Sequence, residues 1–287
     1  MATLEEIQQP IADKVRRYET FITEILHSDS GYVSSICNYI LANRGKQMRP
    51  LLVLLSAALH GEIGTRSYLG ASLVEMLHTA SLIHDDVVDE AFVRRGAPSV
   101  NALWRSHTAV LIGDYIFART YHVCMEQGGD DMLSEATRSV HEMSEGELTQ
   151  TELSESLRMT RELYLDIIYK KTASLLGVSA SAGALAVGAT RDKVATMRRF
   201  GEAVGMAFQI QDDILDYTPS AQTGKPVCND LREGKITLPL LTVLDRASEE
   251  RRADLLDRLA RCHEDDEAVE YLRLAVEREG GLSAAAE

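Results

Sequence analysis

Two aspartate clusters of the same form are the residues in this sequence most able to do chemistry. The first is Asp85-Asp86-Val87-Val88-Asp89, and the second is Asp212-Asp213-Ile214-Leu215-Asp216. The first and last Asp of each cluster are four residues apart, so on a helix their carboxylates share a face and can hold one cation together. Both clusters follow apolar stretches, and carboxylates in that position need a metal or a cationic partner to offset their repulsion. The alternative, a solvated acidic face, fits one isolated acidic pair better than two such clusters.

Basic residues are available where an anionic substrate would need them. Lys46 and Arg49 precede a predicted helix start at Pro50, where backbone N–H groups also favour an anion. A basic pair alone is usually a solvated surface feature, but several pairs beside two Asp clusters predict two anionic substrates. Mg²⁺ suits such a site, because it prefers carboxylate oxygen and completes its shell with water and phosphate. The basic candidates are Lys46, Arg49, Arg94, Arg95, Lys171 and Lys225.

The elements that must position these residues are predicted to be helices. Apolar residues recur at steps of three and four along nearly the whole chain, and no run alternates as a strand would between hairpin turns. The fold class is therefore all-α, with one domain over residues 1–287, and the polar loop Thr218–Gly234 is a candidate lid. The predicted helices cover 7–25, 32–42, 50–60, 67–90, 100–127, 132–150, 161–187 and 191–216.

The composition excludes several partner classes. The chain has 287 residues and a net charge of −14, which argues against nucleic acid or an anionic membrane as the main partner. Its four cysteines lack zinc-like spacing and are expected to be reduced thiols of a cytoplasmic protein. The acidic N-terminus does not resemble a signal peptide, and no apolar run is predicted to anchor the chain in a membrane.

Eight strings, in order, resemble the trans-isoprenyl diphosphate synthases, also called polyprenyl synthetases. One Asp-rich motif would be moderate evidence for this family, whereas the ordered set covers nearly the whole chain. The strings are 45–50 (GKQMRP), 78–89 (HTASLIHDDVVD), 94–96 (RRG), 113–114 (GD), 146–147 (GE), 171–173 (KTA), 208–216 (FQIQDDILD) and 230–239 (DLREGKITLP).

This resemblance implies one large helical bundle around a central cavity, of the isoprenoid synthase type I kind, with the Asp motifs on opposing walls. It implies that several Mg²⁺ ions hold an allylic diphosphate. The implied metal ligands are Asp85, Asp89, Asp212, Asp213 and Asp216, with Asp86 as a further catalytic carboxylate. The implied contacts to the allylic diphosphate are Arg94, Lys171, Lys225 and Lys235; those to isopentenyl diphosphate are Lys46, Arg49, His78 and Arg95. Thr172 and Gln209 would lie beside the reacting carbons and steady positive charge.

The implied reaction agrees with the chemistry of these residue types. Cleavage of an allylic C–O bond leaves negative charge on diphosphate, which Mg²⁺, Arg and Lys stabilise, and positive charge on carbon. A dry apolar pocket protects that carbocation until isopentenyl diphosphate attacks it. A histidine on an apolar helix face, such as His78, is more often a core residue; the resemblance favours a ligand.

The resemblance also predicts product length. Residues one turn before Asp85 line the start of the product tunnel in this family, and here they are the small Ala80 and Ser81. We expect a long-chain product, about heptaprenyl to nonaprenyl. The alternatives are a geranylgeranyl or farnesyl diphosphate synthase, a non-catalytic subunit of a heteromeric synthase, and a terpene cyclase. Family members are usually homodimers, and most continue for another helix or two beyond Glu287, so C-terminal helices are expected to be missing.

Overall fold

The computed structural model describes residues 3–218 and 227–287, and these residues are almost entirely helical. The helices are α1 (Leu4–Gln8), α2 (Ala12–Ile25), α3 (Gly31–Ala42), α4 (Met48–His60), α5 (Thr65–Val88), α6 (Val100–Glu126), α7 (Asp130–Ser156), α8 (Arg161–Ile168), α9 (Ser174–Ala186), α10 (Arg191–Asp216), α11 (Asn229–Arg232), α12 (Leu238–Arg246), α13 (Glu249–Leu259), α14 (Asp266–Arg278) and α15 (Gly281–Ala286). A 3₁₀ turn (Gln9–Ile11) joins α1 to α2, and a π-helical turn (Tyr169–Ala173) joins α8 to α9. The all-α prediction is confirmed.

The predicted helix bounds agree closely with the structure wherever the apolar period is strong. α10 spans Arg191–Asp216 as predicted, and α4 and α6 each begin and end within two residues of the prediction. The stretch 161–187 was predicted as one plain helix, whereas the structure inserts the π-helical turn within it. Apolar periodicity carries no signal for such a one-turn change.

The described chain forms two compact units. The first unit comprises Met1–Val140 and Leu175–Gly201, and the second comprises His141–Ser174 and Glu202–Glu287. The single domain over 1–287 stays a prediction.

The first unit is built around α5, which is apolar on nearly every side. Leu69, Leu73, Met76 and Leu77 are almost completely buried there, as expected for a helix surrounded by others. α4 and α6 pack directly against it. The Asp cluster at the C-terminal end of α5 therefore stands on a rigid support.

The second unit has its core around α12, whose residues Leu238–Leu244 are all buried. Tyr164 and Ile168 of α8 and Leu272 of α14 belong to the same apolar cluster. The second Asp cluster ends α10 in this unit.

A small hairpin follows the first Asp cluster. Strands β1 (Val93–Arg94) and β2 (Ala97–Pro98) pair antiparallel, and the turn residues Arg95 and Gly96 have φ angles of 55° and 77°. Positive φ at both central residues is typical of a type I′ turn, which matches the twist of a hairpin. Two-residue strands give no alternation to detect, so the sequence pattern did not predict this element.

No helix within residues 3–218 and 227–287 has both the length and the apolar character needed to cross a bilayer.

Candidate active-site residues

The first Asp cluster has one buried member. Asp86 is only 3% exposed, while Asp85 is partly exposed and Asp89 is exposed at the end of α5. Arg94 reaches back from the hairpin and donates from Nε to Asp86 Oδ1 at 2.8 Å, and its Nη2 lies 2.5 Å from the same oxygen. The structure thus pairs a predicted catalytic carboxylate with a predicted diphosphate ligand, and this ion pair offsets the cost of burying Asp86.

Four predicted substrate ligands lie together in the first unit. Burial lowers the pKa of His78 well below its usual range, and the positive charges of Arg49, Arg95 and Arg94 lower it further. Three guanidiniums around a neutral imidazole together form a strong anion-binding site. Lys46, the fifth predicted ligand of this unit, is exposed just before α4.

Gly45 explains how Arg95 is held. A Cβ atom at Gly45 would lie 2.5 Å from Arg95 Cζ and 2.8 Å from its Nε and Nη1. The guanidinium therefore rests against bare backbone at the turn into α4, a place that any side chain at position 45 would occupy. This contact gives a physical reason for Gly in the string at 45–50 and for its link to the string at 94–96.

A second glycine sets the packing of α5 on α6 next to the Asp cluster. A Cβ at Gly113 would lie 2.2 Å from Nε2 of His84, so the imidazole occupies the space above this glycine. The same nitrogen is 3.1 Å from the carbonyl oxygen of Val110 and 3.5 Å from Asp114 Oδ1. The residue immediately before Asp85 is thereby anchored on α6.

The two predicted chain-length residues differ in accessibility. Ala80 is completely buried in the core of the first unit, and Ser81 is partly exposed. The hydroxyl of Ser81 donates to the carbonyl of His78 at 2.9 Å. Ser81 is therefore the position where a larger side chain could be added with less strain on the core.

The second Asp cluster also buries its middle position, with neutral partners. Asp213 is 4% exposed and accepts hydrogen bonds from Tyr164 Oη at 2.7 Å and Gln209 Nε2 at 2.9 Å. Burial raises the pKa of Asp213 to about 6; the two hydrogen bonds lower it, and the charges of Asp212 and Asp216 raise it. Tyr164 was missed by the sequence analysis, since nothing in a lone Tyr 49 positions upstream indicates this contact.

The outer members of this cluster face different partners. Asp212 is exposed, whereas Asp216 accepts the backbone N–H groups of Asn229 and Asp230 at 3.1 Å each. Burial raises the pKa of Asp230 to about 7, with the charges of Asp216 and Asp213 adding to the shift. Asp230 lies in the matched string 230–239, but the resemblance implied no role for it. The structure places it beside the second Asp cluster as a further carboxylate.

The π-helical turn carries Lys171 and Thr172. Thr172 Oγ1 donates to Gln209 Oε1 at 2.7 Å, which extends the Asp213 network to the two residues predicted to lie beside the reacting carbons. Gly205 permits this approach, because its Cβ would lie 2.5 Å from Cα of Ala173. π-helical turns are frequent at functional sites.

Two of the predicted lysines, Lys171 and Lys235, are paired with acids. Lys171 Nζ lies 2.6 Å from Glu147 Oε2 and 2.8 Å from Gln150 Oε1, and Lys235 Nζ pairs with Glu233. Lys225 lies in the part of the candidate lid, residues 219–226, that is outside the described residues.

The donor set suits a hard divalent cation. All predicted ligands are carboxylates, the ligands that Mg²⁺ and Ca²⁺ prefer. Within residues 3–218 and 227–287, no three His, Cys, Asp or Glu side chains converge on one point. An ion at either cluster would therefore complete its shell with water or phosphate oxygen, as Mg²⁺ commonly does.

Comparisons with known proteins show the family to which the chain belongs. The family model for polyprenyl synthetase matches residues 30–276. A curated all-trans-nonaprenyl-diphosphate synthase (geranyl-diphosphate specific) from Rhodobacter capsulatus is 38% identical over 256 residues, 88% of this chain and 78% of that protein. A short chain isoprenyl diphosphate synthase from Methanothermobacter thermautotrophicus is 35% identical over 257 residues, 86% of this chain and 79% of that protein.

Solved structures show the same architecture. A polyprenyl synthase from Caulobacter crescentus, complexed with calcium and isoprenyl diphosphate, superposes with a TM-score of 0.89 at 32% identity. The match covers 99% of this chain and 87% of that one.

Proposed function

Because the chain belongs to the polyprenyl synthetase family, it is a trans-prenyltransferase, and we propose that it makes a long all-trans polyprenyl diphosphate, about heptaprenyl to nonaprenyl, with Mg²⁺. Enzymes of this family use divalent metal ions and condense isopentenyl diphosphate with an allylic diphosphate. The observation that carries the condensation of two diphosphates is the group of Arg49, His78 and Arg95 in the same unit as the first Asp cluster. A second diphosphate needs such a group, whereas a terpene cyclase does not.

Two sets of residues would hold the allylic diphosphate. Carboxylates of both Asp clusters would bind the ions: Asp85, Asp89 and Asp212, with Asp213 and Asp216 as additional ligands. Bound divalent ions neutralise the leaving diphosphate as the allylic C–O bond breaks. Arg94, Lys171, Lys235 and Lys225 would stabilise the same negative charge.

Isopentenyl diphosphate would bind to Lys46, Arg49, His78 and Arg95. Guanidinium groups recognise phosphate oxygens bidentately, so Arg49 and Arg95 fix the orientation of this substrate as well as its charge. Its double bond then attacks the allylic carbon, and the released diphosphate takes the proton that is lost from the product.

Thr172 and Gln209 would steady the carbocation through their oxygens. Tyr164 and Asp213 hold the amide of Gln209 in one orientation, with its Nε2 toward Asp213 and its Oε1 toward Thr172. A fixed dipole needs no reorganisation during the reaction, which is the main source of electrostatic stabilisation in enzymes.

Small side chains at Ala80 and Ser81 support the long product, and so does the nonaprenyl-forming relative. A shorter product is the second candidate, because a relative of similar identity is named as a short chain synthase.

We also propose a homodimer. Leu103, Leu111 and Met125 of α6 are 48%, 55% and 62% exposed, which is unusual for large apolar side chains on one helix. A second copy packed against α6 would bury them.

The test is incubation of the purified protein with Mg²⁺, labelled isopentenyl diphosphate and farnesyl diphosphate, followed by reverse-phase chromatography. We expect a product ladder that ends well beyond geranylgeranyl. A stop at geranylgeranyl would retain the enzyme class and refute the long product. Absence of incorporation would contradict the proposed activity of this chain by itself.

A variant sharpens the product-length proposal. Ser81→Phe should shorten the main product without loss of folding, because Ser81 is partly exposed. Ala80→Phe should in addition destabilise the protein, by about 1–3 kcal/mol, because position 80 lies in a filled core. An unchanged ladder with Ser81→Phe would contradict a tunnel past this residue.

A further inference from the structure

Glu75 is a buried carboxylate in α5 that none of the roles above uses. Its side chain is 5% exposed, and it lies three residues before His78. Together with Asp86 it lines a cavity of about 70 Å³ whose wall also includes Arg44, Arg94 and Arg95. A carboxylate at this depth is stable as an anion only with cationic partners.

The positive charges of three guanidiniums act on Glu75, and two of them, Arg44 and Arg95, share the cavity wall with it. Burial raises the pKa of Glu75, and the charges of Arg49, Arg95 and Arg44 oppose that shift. The effect is mutual at Arg49, where burial lowers the pKa to about 10, the charge of Glu75 raises it and that of Arg95 lowers it. Arg49 and Arg95 thus repel each other, and Glu75 attracts both.

Several buried side-chain nitrogen atoms of the first unit have no hydrogen-bond partner among the described residues. Buried polar groups in proteins are nearly always paired, so such a group of atoms indicates a site for an anion with several acceptors. These atoms are Arg44 Nη1, Gln47 Nε2, Arg49 Nε and His78 Nδ1.

We propose that Glu75 is a positioning residue for the isopentenyl diphosphate site: it is the buried counter-charge that holds Arg49 and Arg95 together before the diphosphate binds. This inference rests on the proposed function. Gly45 supports Arg95 from the other direction, since the guanidinium lies against its backbone. Arg44, on the wall of the same cavity, is the third cation that Glu75 restrains.

Positioning by Glu75 and simple electrostatics predict opposite changes in diphosphate binding when Glu75 is neutralised. Replacing Glu75 by a neutral residue makes the site more positive, which should tighten diphosphate binding if charge alone mattered. If Glu75 acts by positioning, the guanidiniums separate without it, and binding of isopentenyl diphosphate becomes weaker.

The experiment compares Glu75→Gln, Glu75→Asp and wild type in steady-state kinetics with each substrate varied in turn. We expect Glu75→Gln to raise KM for isopentenyl diphosphate about tenfold to hundredfold, the loss typical of a hydrogen bond to a charged group. KM for the allylic diphosphate should change by less than about twofold in the same variant. Glu75→Asp keeps the charge and should recover most of the loss.

Glu135→Gln is the control, because Glu135 belongs to the same unit and pairs instead with Arg138 and Arg198. It should leave both KM values unchanged. Calorimetric titration with inorganic pyrophosphate gives a readout independent of turnover, and it should show weaker binding to Glu75→Gln than to wild type.

Three results would overturn the inference: an unchanged or lower KM for isopentenyl diphosphate in Glu75→Gln, a parallel rise of both KM values, or equal losses in Glu75→Asp and Glu75→Gln. If Glu75→Gln fails to fold, the KM values of Glu75→Asp and Gly45→Ala still test the inference. Gly45→Ala displaces Arg95 and should raise the same KM selectively. An inactive wild type would instead refute the proposed function, and the pyrophosphate titration would still test Glu75.

Discussion

The two Asp clusters have the same sequence spacing, and each buries its second carboxylate, yet their partners differ in kind. Asp86 is held by the cation Arg94, whereas Asp213 is held by the neutral donors Tyr164 and Gln209. An ion pair compensates a buried charge more fully than neutral hydrogen bonds do. Accordingly, burial leaves the pKa of Asp213 raised, to about 6.

The difference indicates two positioning tasks for one motif. In the first cluster the buried carboxylate fixes a cation, Arg94, that the proposed mechanism assigns to the allylic diphosphate. In the second cluster the buried carboxylate fixes a neutral dipole, the amide of Gln209. This amide in turn accepts a hydrogen bond from Thr172. In the proposed mechanism the same spacing would therefore serve the leaving anion in one unit and the carbocation in the other.

The largest effect is expected from Arg94→Met. The variant removes the ion pair of Asp86 and a proposed diphosphate contact at once, so turnover should fall by at least about 100-fold. Removing one partner of a buried ion pair typically costs about 3 kcal/mol, and partial exposure of Arg94 reduces this to about 2 kcal/mol. Urea unfolding and steady-state kinetics measure the two effects. Arg94→Lys restores the charge without the paired N–H groups, and recovery to wild-type activity would contradict a need for that geometry.

The next effect concerns pH and follows from the raised pKa of Asp213. Its folded-state pKa of about 6 lies above the ordinary value of 3.8, so between these pH values the native protein holds more protons than the unfolded chain. The free energy of unfolding contributed by Asp213 therefore falls as pH rises from about 4 to 6, by about 3 kcal/mol, and is constant above.

Urea unfolding of metal-free protein across this range tests the point. The stability of Asp213→Asn relative to wild type should increase with pH between about 4 and 6. A pH-independent difference would contradict the raised pKa. Tyr164→Phe removes one hydrogen bond that lowers this pKa, so the window should move to higher pH.

A smaller loss is expected from Tyr164→Phe at neutral pH. The phenyl ring keeps the packing, but Asp213 loses one of its donors, which costs about 1–3 kcal/mol for a charged acceptor. If the network orients Gln209, turnover should fall about tenfold with little change in either KM. Tyr121→Phe serves as a control in the first unit. A stability loss with unchanged turnover would reduce Asp213 to a structural role.

The smallest expected change is a gain. Arg105 in α6 has φ 68° and ψ 161°, a region adopted almost only by glycine. Its neighbour Ser106 donates to Asn101, which in turn donates to the carbonyl of Asp86, so the strain lies beside the support of the first cluster. α10, all of whose residues are described, has no positive φ near the second cluster.

Arg105→Gly should raise the free energy of unfolding by about 1 kcal/mol, and Arg105→Ala should not, because alanine is strained in the same way. Differential scanning calorimetry distinguishes the two variants. Equal melting temperatures for wild type and Arg105→Gly would show that this backbone is not strained.

Much of this arrangement was predictable from sequence, and the remainder depends on contacts that no local pattern encodes. The helices that carry Asp85 and Asp212 are predicted by apolar periodicity. The four-residue spacing within each cluster predicts that its first and last carboxylates share one helix face. The bond from Tyr164 to Asp213 joins positions far apart in sequence, and the fit of Arg95 against Gly45 requires a hairpin of two-residue strands. The π-helical turn at Thr172 leaves the apolar period nearly unchanged.

The most direct test of the account is whether both Asp clusters are needed to bind the allylic substrate with metal. Calorimetric titration with a thio analogue of farnesyl diphosphate, which cannot ionise, should show tight binding to wild type with Mg²⁺ and weak binding with EDTA. Asp85→Asn and Asp212→Asn should each weaken the Mg²⁺-dependent binding by about 100-fold or more, as expected when an ion loses a carboxylate ligand. Binding that is independent of Mg²⁺, or that survives intact in either variant, would contradict the claim.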